Sequence, residues 1–192
     1  MKVLAVYAHP NPKSFAHALL TKVVETCEIK KHQTVVRDLY AINFKPILTA
    51  EDLTQLSAGK TPQDIKTEQD HIRWADVLVI IYPLWWTGLP AILKGYIDRV
   101  FCNGFAFSYG AHGPTPLLKE KKIVLITNQG TPEKIYEASG MTRSMKQTSD
   151  TGIFEFCGIE VLEHRFFGGV PLADQKTLSG YLKEAESIIM RI

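Results

Sequence analysis

Residues 77–81 read VLVII, five consecutive apolar residues directly after Asp76. A strand with one wet face alternates apolar and polar side chains. An unbroken apolar run of this length instead fits a strand covered on both faces. Such a strand needs a layer of helix above it and another below. KVLAVYA at 2–8 and KIVLIT at 122–127 have the same character, and two further strands are expected at 33–39 and 161–167. Between the strands, apolar residues recur at three- and four-residue spacing, the mark of helices packed by one face. Phe15, Leu19 and Val23 form one such stripe, flanked by Leu20 and Val24. Others lie in 64–74, in 90–100 (Ile92, Leu93, Tyr96, Ile97, Val100), within 139–157 and in 174–190. The stretch 40–59 breaks the pattern and predicts an excursion with a short helical turn at 49–53.

This alternation predicts an α/β three-layer sandwich around a parallel five-stranded sheet, in a single domain over 1–192. The first loop, HPNPK, has no GxGxxG fingerprint. That favours the flavodoxin-like strand order 2-1-3-4-5 over a half-Rossmann unit. Ligands of such sheets gather beyond the carboxyl ends of the strands, where the order reverses.

Three loops of unusual composition leave that edge. AHPNPKS ends at a helix start, where free amides, the Ser14 hydroxyl and Lys13 can hold a phosphate, although Ser14 can equally just cap its helix. It is not a Walker loop. His9 closes the first strand, placed either to touch a ligand or to orient the loop. YPLWWTGLP sets Trp85 and Trp86 side by side, fenced by Pro83, Gly88 and Pro90. Two adjacent tryptophans cannot point the same way. They offer a surface for a planar ring, or else serve a core or a subunit interface. TNQG at 127–130 brings a hydroxyl, two amide side chains and a glycine, followed by Tyr136, which can cover a pocket or pack the next helix.

Composition excludes more than it selects. The 192 residues carry 22 basic and 20 acidic side chains, a formal charge of +2, which gives no basic surface for nucleic acid. No Cys/His metal spacing, GxSxG or HExxH is present, and no run is long and apolar enough for membrane insertion. Cys27, Cys102 and Cys157 are read as buried free thiols in helical contexts of a cytoplasmic protein. A bound planar cofactor that carries the chemistry itself explains the loops better than side-chain acid–base catalysis alone.

DLYAINFKPILTAEDL at 38–53, ADVLVIIYPLWWTGLPAILKGYIDRVFCNGFAFSYG at 75–110 and FCGIEVLE at 156–163 make nearly the whole chain resemble the flavodoxin-like NAD(P)H:quinone oxidoreductase family, of the DT-diaphorase and modulator-of-drug-activity type. The resemblance implies a bound flavin, FAD with FMN as the alternative, and two-electron hydride transfer from NAD(P)H to quinones or similar flat acceptors. It implies that His9, Ser14 and Phe15 anchor the flavin, that Pro83, Leu84, Trp85 and Trp86 lie along its ring, and that Thr127, Asn128, Gln129 and Gly130 meet its polar end. Tyr109, Tyr136 and Trp86 would line the substrate pocket, with Tyr136 as hydrogen-bond donor to developing negative charge. A homodimer with its site at the interface is also implied. Three positions depart from the family pattern. TNQG stands for TTGG, Ala16 replaces a common Asn, and Thr142 falls where the mammalian members carry a catalytic histidine. The alternative readings are a flavin-binding ancillary subunit of a potassium-efflux system and a flavodoxin-type electron carrier.

Overall fold

In the computed structural model, which describes residues 1–192, five parallel strands form the central sheet. They are β1 (Lys2–Tyr7), β2 (Gln33–Asp38), β3 (Val77–Pro83), β6 (Lys122–Asn128) and β7 (Glu160–Phe167), in the order β2-β1-β3-β6-β7. Counted as sheet strands alone, this is the expected 2-1-3-4-5. The VLVII run is wholly buried, as two-sided covering requires.

Both faces are packed. On one, Val3, Ala5, Val79, Ile81 and Val124 meet α1 (Phe15–Ile29) and α7 (Gln175–Met190) through Leu19, Val23, Ala185 and Ile188. On the other, Leu4, Val6, Leu78, Ile80 and Leu125 meet α3 (Gln63–Trp74), α4 (Ala91–Val100) and the Gln147–Glu155 segment through Ile72, Leu93, Tyr96 and Phe154. Each buried Val, Leu, Ile or Phe side chain among them contributes roughly 1.5–3 kcal/mol by leaving water, so the two apolar layers dominate the stability.

Three elements and one cysteine differ from the sequence expectation. The turn at 49–53 is a helix, α2 (Ala50–Ser57), started by a reciprocal capping box between Thr49 and Asp52. Residues 107–116, where no element was expected, form an antiparallel hairpin of β4 (Phe107–Gly110) and β5 (Gly113–Pro116). The expected helix within 139–157 begins earlier and divides: α5 (Glu133–Ala138) and α6 (Met141–Lys146) are separated by left-handed Gly140, and α6 runs into a π-helix, Gln147–Glu155. Cys102 lies beyond the end of α4, half-buried, with Sγ 3.3 Å from Gln69 Nε2, so it is neither helical nor fully buried. All three cysteines are free.

The 40–59 excursion is tied down by charge. Arg99 on α4 donates to both carboxylate oxygens of Asp52 (3.0 Å each), to Asp64 (2.6 Å) and to the Lys45 carbonyl (2.9 Å). α4 also presses so closely on this segment that a Cβ at Gly95 would overlap the Pro46 carbonyl. The Arg99 contact holds the Asp52 carboxyl below its usual range. Arg99→Met leaves Asp52 charged, buried and unpaired, at a cost of about 3 kcal/mol. Thermal unfolding should show a Tm lower by about 6–12 °C. Because the folded pKa of Asp52 is depressed, its contribution is present above the unfolded carboxyl value and fades as pH falls through the folded one, so the gap between variant and parent should narrow in acid.

Candidate active site

The sheet delivers three loops to one edge. After β1 the chain turns through His9–Lys13 into α1. His9 Nδ1 accepts from the Asn11 N–H (3.0 Å) and Asn11 Oδ1 accepts from the Lys13 N–H (2.9 Å), so the loop is braced by its own side chains. With Nδ1 used as an acceptor, the His9 proton sits on Nε2. Burial pushes the pKa of this histidine down. Ser14 is the N-cap of α1, its Oγ taking the His17 N–H at 3.2 Å and lying 3.3 Å from the Tyr7 hydroxyl. The amides of Phe15 and Ala16, in the first turn, have no acceptor within the helix, and this is the end of a helix that favours an anion. The Phe15 ring packs edge-on against Phe167 and Tyr181. Only its backbone is free to serve as an anchor.

After β3, Trp85 and Gly88 exchange backbone hydrogen bonds (3.1 and 3.3 Å) around a two-residue turn. Both central residues, Trp86 (φ 52°) and Thr87 (φ 58°), are left-handed. This is the primed turn geometry that normally selects Asn and Gly. A tryptophan and a β-branched threonine there cost of order 1–3 kcal/mol each. The result is that Trp86 is held 100% exposed while Trp85 turns back beside His9, ring centroids 5.9 Å apart. The two tryptophans do point different ways.

After β6, the Asn128 carbonyl accepts the Leu84 N–H at 2.8 Å, which fixes the second and third loops to each other. Thr127 is fully buried and its hydroxyl is bound to the Arg165 carbonyl, so its side chain faces β7. Gln129 is folded inward, with Nε2 on the Thr131 carbonyl at 2.9 Å. It therefore does not narrow the crevice. Asn128 Oδ1 and Gln129 Oε1 are buried without a hydrogen-bond partner. Gly130 is exposed beside them.

Tyr136 is half-buried on α5. Tyr109 stands apart on the β4–β5 hairpin, 69% exposed, its ring against Phe107. Ala16 is buried and Thr142 half-buried at the head of α6.

Sequence reasoning missed what secures α5. Arg165 on β7 pairs with Glu133 (2.7 Å) and Glu184 (2.6 Å), and Glu133 also accepts from the Gly168 amide. A Cβ at Gly168 would lie 2.5 Å from the Glu133 nitrogen, so only glycine lets the two segments meet. Partners 32 residues apart leave no local signal. The hairpin had one, since Gly110, Gly113 and Pro114 punctuate its turn.

Comparison with known proteins agrees with this geometry. Residues 1–189 match a family described as having a flavodoxin-like fold. An uncharacterized NAD(P)H oxidoreductase of Haemophilus influenzae is 37% identical over 96% of this chain and 92% of its own length. NAD(P)H dehydrogenase [quinone] 1 of Cavia porcellus is 33% identical over 97% of this chain and 77% of its own. The NAD(P)H:quinone oxidoreductase structure from Methanothermobacter marburgensis superposes with a TM-score of 0.90 at 30% identity, covering 99% of this chain and 98% of that one. The chain therefore belongs to the flavodoxin-like family of NAD(P)H:quinone oxidoreductases.

Proposed function

We propose that this protein is a flavin-dependent NAD(P)H:quinone oxidoreductase, a single flavin-binding domain over 1–192 that uses FAD, with FMN as the alternative. One observation carries the reading. A helix N-terminus with open amides, an outward-held tryptophan turn and two buried acceptors without partners converge at the reversal point of one sheet. The residues fit a flavin. A phosphate meets the Phe15 and Ala16 amides with Ser14 and Lys13 beside them, and His9 offers Nε2–H. Pro83, Leu84, Trp85 and Trp86 lie along the ring. Asn128 Oδ1 and Gln129 Oε1 need donors, which the N–H and hydroxyl groups of a flavin possess. Thr127 contributes through its backbone and Gly130 by leaving room.

A bound flavin would supply the redox chemistry, a two-electron reduction of the quinone at the expense of NAD(P)H. The protein's own part is to bind, orient and exclude water. The Leu84–Asn128 hydrogen bond keeps ring-facing and edge-facing loops in fixed register. The acceptor oxygen gains negative charge as hydride arrives and then takes a proton. Tyr136 donates it, drawing a replacement from solvent. Thr142 cannot relay a proton as an imidazole would, so this chain relies on the tyrosine.

The active unit is a homodimer. An apolar groove of about 490 Å³, lined among others by Leu48, Leu53, Phe101, Phe107 and Phe156, opens beside exposed Ile47 and Leu53. A second copy covering it would also cover the foot of the β4–β5 hairpin, because Phe107 lines the groove and packs against exposed Tyr109. No helix is long and apolar enough to cross a membrane, and three free thiols suit the reducing cytoplasm. The ancillary-subunit reading has no observation of its own in its favour.

The purified protein, supplied with FAD, should develop the two visible bands of bound flavin. NADH or NADPH should bleach them without oxygen, and a quinone should restore them. Bands that neither nucleotide bleaches would remove the enzyme reading. Tyr136→Phe should leave the bleaching intact and slow reoxidation by quinone about 10²-fold in stopped flow. Leu53→Glu, at a half-exposed site, should convert a dimer to a monomer by light scattering and weaken flavin retention.

A further inference from the structure

Behind the tryptophan turn, on the inner side of the loop, lies a separate cavity of about 240 Å³. Tyr82, Leu84, Leu89, Met145 and Ile153 give it largely apolar walls, and Thr148, Ser149 and His164 add polar side chains to the lining. The side chain of His164 is 1% exposed. A one-residue irregularity in the β6–β7 pairing, between Ile123 and Val124, sets His164 opposite Leu125 on the inner face of the sheet. Its ring stacks on Phe166 at 4.0 Å.

The two ring nitrogens have different fates. Nδ1 lies 2.7 Å from Asp150 Oδ1, which also receives the Ser149 hydroxyl at 2.7 Å. A carboxylate only accepts, so the proton is on Nδ1. Burial, the largest influence, pushes this histidine's pKa down, against the pull of Asp150. Nε2 is then an acceptor, polarised by the carboxylate behind the ring, and it is buried with no partner in the protein. Leaving such a group unmet is costly. Ser149, Asp150 and Ile153 all come from the π-helix, a geometry that recurs at functional positions.

These features define what would fit. About 150 Å³ is enough for a single benzene ring, so this space accepts one ring and its substituents. The apolar walls favour a largely apolar body. The unpartnered His164 Nε2 calls for a hydrogen-bond donor, which a phenolic O–H supplies. Lys94 at the rim is paired with Asp98 at 2.5 Å, so the mouth offers an ion no free partner, and Asp150 behind His164 opposes a carboxylate. We propose that this cavity is a binding site for a small neutral monocyclic phenol, whose O–H donates to His164 Nε2 while its ring fills the apolar space. The site backs the tryptophan turn but uses none of the groups assigned to the phosphate or to the polar edge of the flavin. Leu84, set along the flavin ring above, also walls this cavity and is the one residue the two sites share.

Phenol and toluene have nearly the same shape and differ in the one donor. Titration calorimetry on the full-length protein with its flavin bound, in the parent and two variants, tests the site. Phenol should bind about tenfold tighter than toluene, one hydrogen bond's worth. His164→Leu should bring phenol down to the toluene level. Thr148→Trp, at an exposed position that lines the cavity, should abolish binding of both. Equal binding of the two probes, or no binding of either, overturns the proposal. So does phenol binding that survives Thr148→Trp, which would place the phenol elsewhere, in the quinone pocket for instance. Should His164→Leu fail to fold, the phenol-to-toluene ratio in the parent and the Thr148→Trp result decide the matter.

Discussion

Everything at the active edge depends on the reversal of strand order at β1. This strand pairs in parallel with β2 on one side and β3 on the other. Its outgoing helix covers one face of the sheet, and the helix after β3 covers the opposite face. Two chain segments that leave neighbouring strands toward opposite faces cannot close the space between them. The crevice follows from topology and right-handed crossovers, not from any one side chain. The hydrogen bond from Leu84 to the Asn128 carbonyl then fixes how the β3 and β6 loops share the crevice.

Local cost concentrates where the surface is made. The Trp86–Thr87 turn holds two non-glycine residues in left-handed conformations and keeps a tryptophan out of the core. That is sustainable because the adjoining strand is among the most buried elements of the molecule. Similarly, two arginines anchor segments that hydrophobic packing alone would leave loose. Arg99 ties the 40–59 excursion to α4, and Arg165 ties α5 to β7 and α7. In both cases a partly or fully buried guanidinium is matched by two carboxylates, which is what makes its burial tolerable.

The polar interior near the π-helix has a different character. Asp150 and His164 satisfy each other at one nitrogen and leave the second without a partner. A structural pair would be expected to close on itself. A pair that stops one bond short, beside a cavity of ring size, has the form of a recognition element.

The sequence by itself determined the sheet, its order and its helical layers. Periodicity is local, and an unbroken run such as VLVII admits few structures. The same local chemistry marked Ser14 as a cap and the WW pair as a surface, and both stand in those places. Only the tertiary structure decided which groups at each marked position remain available. Thr127 and Gln129 looked alike as polar loop residues, yet the first spends its hydroxyl on β7 and the second folds inward with one acceptor spare. The Arg165 tie that secures α5, the close approach at Gly168 and the burial of His164 were equally hidden. Each depends on partners far along the chain, on a register shift in the sheet or on the exact approach of two segments at a glycine. A sequence fixes which residues are neighbours along the chain, and the orientation of a polar atom is set by neighbours in space.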